Sequence, residues 1–151
     1  MKTLKHLLVA VAGFGLLSTA GVALAQETPA AAPAGVKLVD GAAAHALQGK
    51  GAVMVDTRKA SEFADGTIKG AISVPYDPEK SAKDAGFDAA ADKFDMGKIA
   101  DKSKDYVVFC NSGTCWKSYK AAAVMAKAGY KSVHWYRNGY PDWKARKLPT
   151  E

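Results

Sequence analysis

Apolar blocks and turn-forming residues alternate along residues 36–151. VKLV (36–39) reads as a short strand, and Asp40 is placed to cap a helix running to about Gln48, which Gly49-Lys50-Gly51 breaks. AVMVD (52–56) is a continuous apolar run closing on a carboxylate, the pattern of a strand buried on both faces. A short helix is expected over 59–64, ending near Asp65-Gly66, and AISVP (71–75) gives the next strand, closed by Pro75. Residues 77–104 are polar and rich in Ala, Lys and Asp, with a helix expected around 88–100. DYVVFC (105–110) is a further buried strand. From Trp116 to Ala128 the period is helical, with Ala121, Val124, Met125 and Ala128 on a core stripe and Lys117, Lys120 and Lys127 on another. Gly129 caps that helix, SVHWY (132–136) is the last strand, and NGYP (138–141) turns into a short helix that stops before Pro149. Strands separated by helices predict an α/β domain with a mainly parallel sheet. In such sheets the functional loops lie beyond the carboxyl ends of the strands.

The N-terminus changes the setting of that domain. Lys2 and Lys5 precede an apolar core, Leu7 to Leu17, and Ala23-Leu24-Ala25 fits a small-residue cleavage site. This three-part pattern predicts a secretory signal peptide over 1–25, a periplasmic destination, and no membrane attachment after cleavage. Residues 26–35, rich in Ala and Pro, have little to bury and read as a flexible tether. Residues 36–151 then form one compact domain. Loss of Lys2 and Lys5 takes the net charge from +6 to +4. No basic run is interleaved with aromatics, which argues against a nucleic-acid partner. A small anionic substrate suits the residual positive charge.

The chain has two cysteines, both in VVFCNSGTCWKS (107–118). Outside the cytoplasm two thiols so close together tend to oxidise. Cys110 ends a strand, and the loop Asn111-Ser112-Gly113-Thr114 leads to Cys115 and Trp116 at the start of a helix. A thiol in that position feels the positive end of the helix dipole, which favours its thiolate. The small loop residues let backbone N–H groups turn inward, with Gly113 free to take a positive φ and the Ser112 and Thr114 hydroxyls available as further donors. A metal site is disfavoured, because Cys110, Cys115 and His134 make at most three ligands without the paired spacings of structural zinc. Haem attachment through Cys-x-x-Cys-His has no counterpart in the sequence, and no cofactor is expected.

These residues carry a resemblance. VDTRKASEFADGTIKGAISVPY resembles the first signature of rhodanese domains, the single-domain sulfurtransferase type, through Asp56, Arg58, Glu62, Phe63, Gly66, Ile68, Gly70, Ala71 and Pro75. VVFCNSGT resembles the family's active-site loop, and GYKSVHWYRNGYPDWKARKLP its terminal strand, Gly turn, Trp-bearing helix and Leu-Pro close. The resemblance implies a parallel five-stranded sheet flanked by helices. It also implies that Cys110 accepts a sulfane sulfur from a donor such as thiosulfate and passes it to a thiol or cyanide. Asp56 and Arg58 are candidates for contact with substrate or, as an ion pair, for support of the loop that follows their strand.

Two departures bear on function. Where the family commonly has Arg and then Ser at the loop's end, this chain has Cys115 and Trp116, leaving Lys117 as the nearest substitute cation. The common His after the Gly of Gly-x-Ile is Thr67. If loop curvature brings the Cα atoms within about 7 Å, Cys110 and Cys115 can form a disulfide. Such a bond can be redox-active, resolving a persulfide on Cys110 and engaging a periplasmic redox protein, or static, capping the nucleophile. The Cys115-Trp116 pair also resembles the Cys-x-x-Cys-Trp motif of rhodanese-like proteins associated with quinone-cofactor-dependent alcohol catabolism, at a spacing of four residues rather than two.

Overall fold

The computed structural model describes residues 25–151, so the leader reading falls, but for Ala25, outside the described residues. Five parallel strands form one sheet: β1 (Val36–Val39), β2 (Val53–Asp56), β3 (Ile72–Ser73), β4 (Asp105–Phe109) and β5 (Ser132–Tyr136), in the order β1-β5-β4-β2-β3. This is the α/β architecture expected, with α1 (Gly41–Gly49), α2 (Ala60–Ala64), α3 (Trp116–Lys127) and α4 (Gly139–Ala145). Asp40 caps α1 by accepting a hydrogen bond from the Ala43 N–H, and Gly129, at φ +87°, ends α3.

The central strands are apolar throughout because both of their faces are covered. Alternate residues separate into two cores. Val55, Tyr106, Val108, Val133 and Trp135 meet α3 through Ala121, Ala122 and Met125. On the opposite face, Met54, Val107, Phe109 and Tyr136 meet Ala44 of α1 and Trp143 of α4. Among the described residues no helix is long and apolar enough to cross a membrane.

The sequence reading needs correction in three places. Residues 88–100 do not form one helix but two 3₁₀ turns, Ala89–Ala91 and Met96–Ile99. Asp88 and Asp95 each cap a separate turn by accepting from the N–H two residues on, which interrupts a continuous helix. The Lys117/Lys120/Lys127 stripe, set apart from the core stripe in the sequence, is not wholly apart from the core. Lys120 is wholly buried: its ammonium lies 2.8 Å from Glu79 and 3.8 Å from Asp92, and donates to Ser81 Oγ at 2.8 Å. The segment after β3 folds over this face of α3 and supplies those partners.

The third correction concerns residues 26–35. They do not hang free as a tether. Thr28 and Pro33 are buried, and Ala32 packs against the α3-side core. Polar contacts at Gln26, Glu27 and Thr28 take this arm across the β4–α3 loop.

Candidate functional site

The register Asp56↔Phe109 ends β2 and β4 side by side at the carboxyl edge of the sheet. Two adjacent loops follow, and the Thr57 N–H (3.1 Å) and hydroxyl (2.9 Å) both donate to the Phe109 carbonyl between them.

After β2, Asp56 is fully buried and Arg58 almost so. Asp56 Oδ1 accepts from the Arg58 backbone N–H and from Nε, each at 3.0 Å, while Oδ2 accepts from the Thr67 hydroxyl at 2.8 Å and pairs with Arg58 Nη2. The same Nη2 donates to the Gly66 carbonyl at 2.8 Å, and the guanidinium lies 4.4 Å from the centre of the Tyr140 ring. Each of these buried charges is met by an opposite charge and by hydrogen bonds, as burial requires.

After β4, Cys110 is 1% exposed and joined by a disulfide to Cys115, the N-cap residue of α3, with Cα atoms 6.2 Å apart. The turn is tight: the Cys115 N–H donates to the Ser112 carbonyl at 3.0 Å. Ser112 and Thr114 do not direct their hydroxyls to Cys110, because the two are hydrogen-bonded to each other at 2.9 Å. Among the described residues the backbone N–H groups of Asn111, Ser112 and Gly113 have no backbone partner. From α2, Glu62 Oε1 accepts from Asn111 Nδ2 at 2.7 Å, tying the two loops together. Burial raises the Glu62 pKa, but the Asn111 amide, the Lys59 N–H and the charges of Arg58 and Lys117 outweigh it and hold the carboxyl below its ordinary range. A cleft of about 220 Å³ opens beside this junction, lined by Arg58, Glu62, Gly66, Asn111, Tyr140 and Lys144.

The turn between β5 and α4 grips the end of β4. The Tyr140 N–H donates to the Cys110 carbonyl at 2.9 Å. Gly139 has φ +64°, and a Cβ there would lie 2.1 Å from the same carbonyl oxygen, so the close approach requires glycine.

This geometry, a cysteine at the end of a central parallel strand with a short loop returning to a helix N-terminus, coincides with a family match. The description "Rhodanese-like domain" matches residues 40–146. The chain belongs to the rhodanese-like family. It is 31% identical over 109 residues to "Thiosulfate sulfurtransferase 16, chloroplastic" of Arabidopsis thaliana, covering 72% of this chain and 87% of that protein. It is 26% identical over 94 residues to "Putative thiosulfate sulfurtransferase, mitochondrial" of Schizosaccharomyces pombe, covering 62% of this chain and 64%, just under two thirds, of that protein. A rhodanese-related protein from Thermoplasma volcanium matches with a TM-score of 0.56 at 21% identity, over 76% of this chain and 97% of that one, and carries the fold alone. These likenesses support membership of the sulfurtransferase family.

Within this rhodanese-like domain, the residues singled out in the sequence fall into two groups. Cys110, Asn111, Ser112, Gly113, Thr114, Cys115 and Trp116 form the loop and the start of α3, and Asp56 with Arg58 forms the buried pair next to it. Lys117 is not an unpaired cation, since its ammonium lies 3.1 Å from the Asp77 carboxylate. Trp116 is a core residue, and its Nε1 donates to the Gln26 carbonyl at 2.9 Å. Gly113 has no positive φ; what its missing side chain leaves room for is the Arg137 guanidinium. A Cβ at Gly113 would stand 2.9 Å from the Arg137 guanidinium. His134 is buried, its Nδ1 3.2 Å from the Tyr106 carbonyl, and His45 lies edge-on to Trp143.

The sequence reading missed Arg137, Gln26, Glu27 and Thr28. Thr28 donates from its N–H (2.8 Å) and hydroxyl (2.6 Å) to the Gly113 carbonyl, and Arg137 donates to Thr28 and Glu27. One signal was available for Arg137: it directly follows β5, the strand beside β4, and so belongs to the same edge of the sheet.

Proposed function

We propose that this protein is a periplasmic sulfurtransferase whose nucleophile is Cys110 and whose resolving thiol is Cys115. The observation that carries this reading is the Cys110–Cys115 bond itself, which joins a strand-end cysteine to the N-cap of α3 around a loop whose Asn111, Ser112 and Gly113 N–H groups have no backbone partner among the described residues. The disulfide is the resting oxidised form, and a thiol or dithiol partner supplies the two electrons that open it. The freed Cys110 thiolate is favoured by the helix dipole and the loop amides. It attacks the outer sulfur of thiosulfate; the Cys110 Sγ–S bond forms, the S–S bond of the donor breaks, and sulfite leaves with the electron pair.

The persulfide then has two fates. Cyanide or a thiol removes its outer sulfur and returns the Cys110 thiolate. Alternatively, the Cys115 thiolate attacks Cys110 Sγ, hydrosulfide leaves, and the disulfide re-forms. Through the second route one thiosulfate and the protein dithiol yield sulfite, hydrogen sulfide and the disulfide, so each cycle consumes two electrons from the partner. Asp56 and Arg58 support the neighbouring loop in this scheme, and the relatives' printed names favour thiosulfate as the donor class.

The presence of the disulfide also favours a second reading: a thiol–disulfide exchange partner of another secreted protein, without sulfur transfer. A locked, non-catalytic rhodanese-like module is the remaining alternative. Intact mass after incubation with thiosulfate, with and without prior reduction, separates the three. Transfer predicts that the reduced protein releases sulfite and hydrogen sulfide from thiosulfate, and that reduced Cys115→Ser gains and keeps one sulfur atom. Ready reduction of the wild type without sulfur uptake by Cys115→Ser selects the exchange partner, and a disulfide that resists mild reductant selects the locked module.

A further inference from the structure

Of Arg58, Lys117 and Arg137, each paired with a carboxylate near the two loops, Arg137 is held differently from the other two. Arg58 is committed to a carboxylate with no solvent exposure, and Lys117 is itself only 14% exposed against Asp77. Arg137 instead meets Glu27, whose side chain is 73% exposed, at 3.1 Å. Its Nε donates to the Thr28 hydroxyl at 3.1 Å and its Nη2 to the Thr28 carbonyl at 3.0 Å, while Nη1 donates to nothing among the described residues. On one side the guanidinium lies against Gly113, close enough that a side chain there would collide with it. On the other it lines a cleft of about 490 Å³, together with Leu38, Val39, Asp40, Ala43 and Asn138. The Asp40 carboxylate in that cleft is occupied by the N-cap of α1.

We propose that Arg137 is the anion-binding residue of this site, and that Glu27 is an internal carboxylate which an anionic sulfur donor displaces from it. The proposal rests on the sulfurtransferase reading for the identity of the anion, but the subsite is defined by contacts of its own. A planar guanidinium with a donor to spare suits an oxyanion with several acceptor oxygens. Gly113 gives it contact with the nucleophile's loop. Arg137 therefore supplies the cation that is missing where Cys115 and Trp116 replace Arg and Ser. The covering arm is thinly held: the Gln26 carbonyl rests on Trp116 Nε1, and Thr28 holds the Gly113 carbonyl. Displacement of Glu27 exchanges one exposed ion pair for a bound dianion and uncovers the loop's rim.

The test uses sulfate, a tetrahedral dianion with no transferable sulfur, titrated into the disulfide form against chloride at matched ionic strength. The Trp116 indole N–H signal in a ¹H–¹⁵N spectrum reports on the arm, because that proton is bonded to Gln26. Saturable binding that shifts this signal is expected. Arg137→Met should weaken it by about tenfold or more, with Arg137→Lys between the two. Glu27→Gln should tighten it about two- to fivefold, the range of an exposed ion pair, and Thr28→Val should act in the same direction. Undiminished binding in Arg137→Met, no tightening in Glu27→Gln, or a loss confined to Lys117→Met would each overturn the proposal. Sulfur uptake by Cys110, read separately by mass, tests the sulfurtransferase reading. Sulfate binding without uptake retains the subsite and removes that reading; uptake with a KM for thiosulfate indifferent to both Glu27→Gln and Arg137→Met removes the subsite and retains the reading.

Discussion

The loops after β2 and β4 begin side by side and are closed by opposite means. The first is closed by charge: both oxygens of a fully buried Asp56 are consumed by Arg58 and Thr67. Nothing in it is left to react. The second is closed by a covalent bond, Cys110–Cys115, and its rim carries N–H groups with no backbone partner among the described residues. A satisfied buried ion pair is a poor place for chemistry because every change leaves a charge unpaired. In the proposed reaction the bond at the N-terminus of α3 is made and broken while the fold persists. On that reading the pair of loops divides the work, one holding the edge of the sheet still while the other changes state.

The largest expected effect breaks the reactive half. In the reduced protein Cys110→Ser should abolish sulfur uptake from thiosulfate, whereas Cys115→Ser should take up sulfur and hold it for lack of a resolving thiol, both read by intact mass. Uptake by Cys110→Ser would remove the asymmetry between the two cysteines. The next largest breaks the static half. Asp56→Asn strands the Arg58 guanidinium in a buried site and should cost about 3–5 kcal/mol by urea unfolding. A loss below about 1 kcal/mol would mean that this loop is not held by its charges.

Between these lies the bond itself. A disulfide that closes so short a loop restricts the unfolded chain only modestly. Reduction should therefore lower stability by about 2 kcal/mol, leaving the circular dichroism spectrum of the native fold intact. Global unfolding on reduction would mean that the second loop is structural like the first, and would favour the locked-module reading.

Much of this contrast was legible in the sequence. The apolar runs ending at Asp56 and Cys110 located both loops, since strands buried on two faces leave an unmistakable pattern and parallel sheets place their loops at one edge. Asp56 and Arg58 are two residues apart, so their pairing is local. What escaped the reading was contact across long stretches of chain. Lys120 sits on a helical stripe that periodicity sets apart from the core, because period registers only the helix itself and not the Glu79–Asp92 segment that covers it. Arg137 and Thr28 are 109 residues apart, and the Ala/Pro composition of 26–35 says how little that arm can bury, not where it lies. Gly113 was singled out for its backbone freedom, yet what the structure uses is its missing side chain.

The smallest effect falls on the side-chain to side-chain link between α2 and the second loop, Asn111 Nδ2 to Glu62 Oε1 at 2.7 Å. Its strength comes from charge on the acceptor, and its half-buried setting keeps it modest, so Glu62→Gln should cost about 1 kcal/mol at neutral pH. The pH dependence distinguishes this from simple loss of packing. The folded pKa lies below the ordinary 4.5, because the Asn111 amide, Lys59 N–H and nearby cations outweigh the upward pull of burial. A group depressed in this way contributes its stability above the ordinary value and loses it as pH falls through the folded value. Wild type and Glu62→Gln should therefore differ at pH 7 and converge as pH falls below 4.5 and through the folded value. A constant difference across that range would show that the carboxylate's charge is not what joins the loops, and that the second loop is positioned by its disulfide, the Tyr140–Cys110 backbone contact and the Thr28–Gly113 bonds.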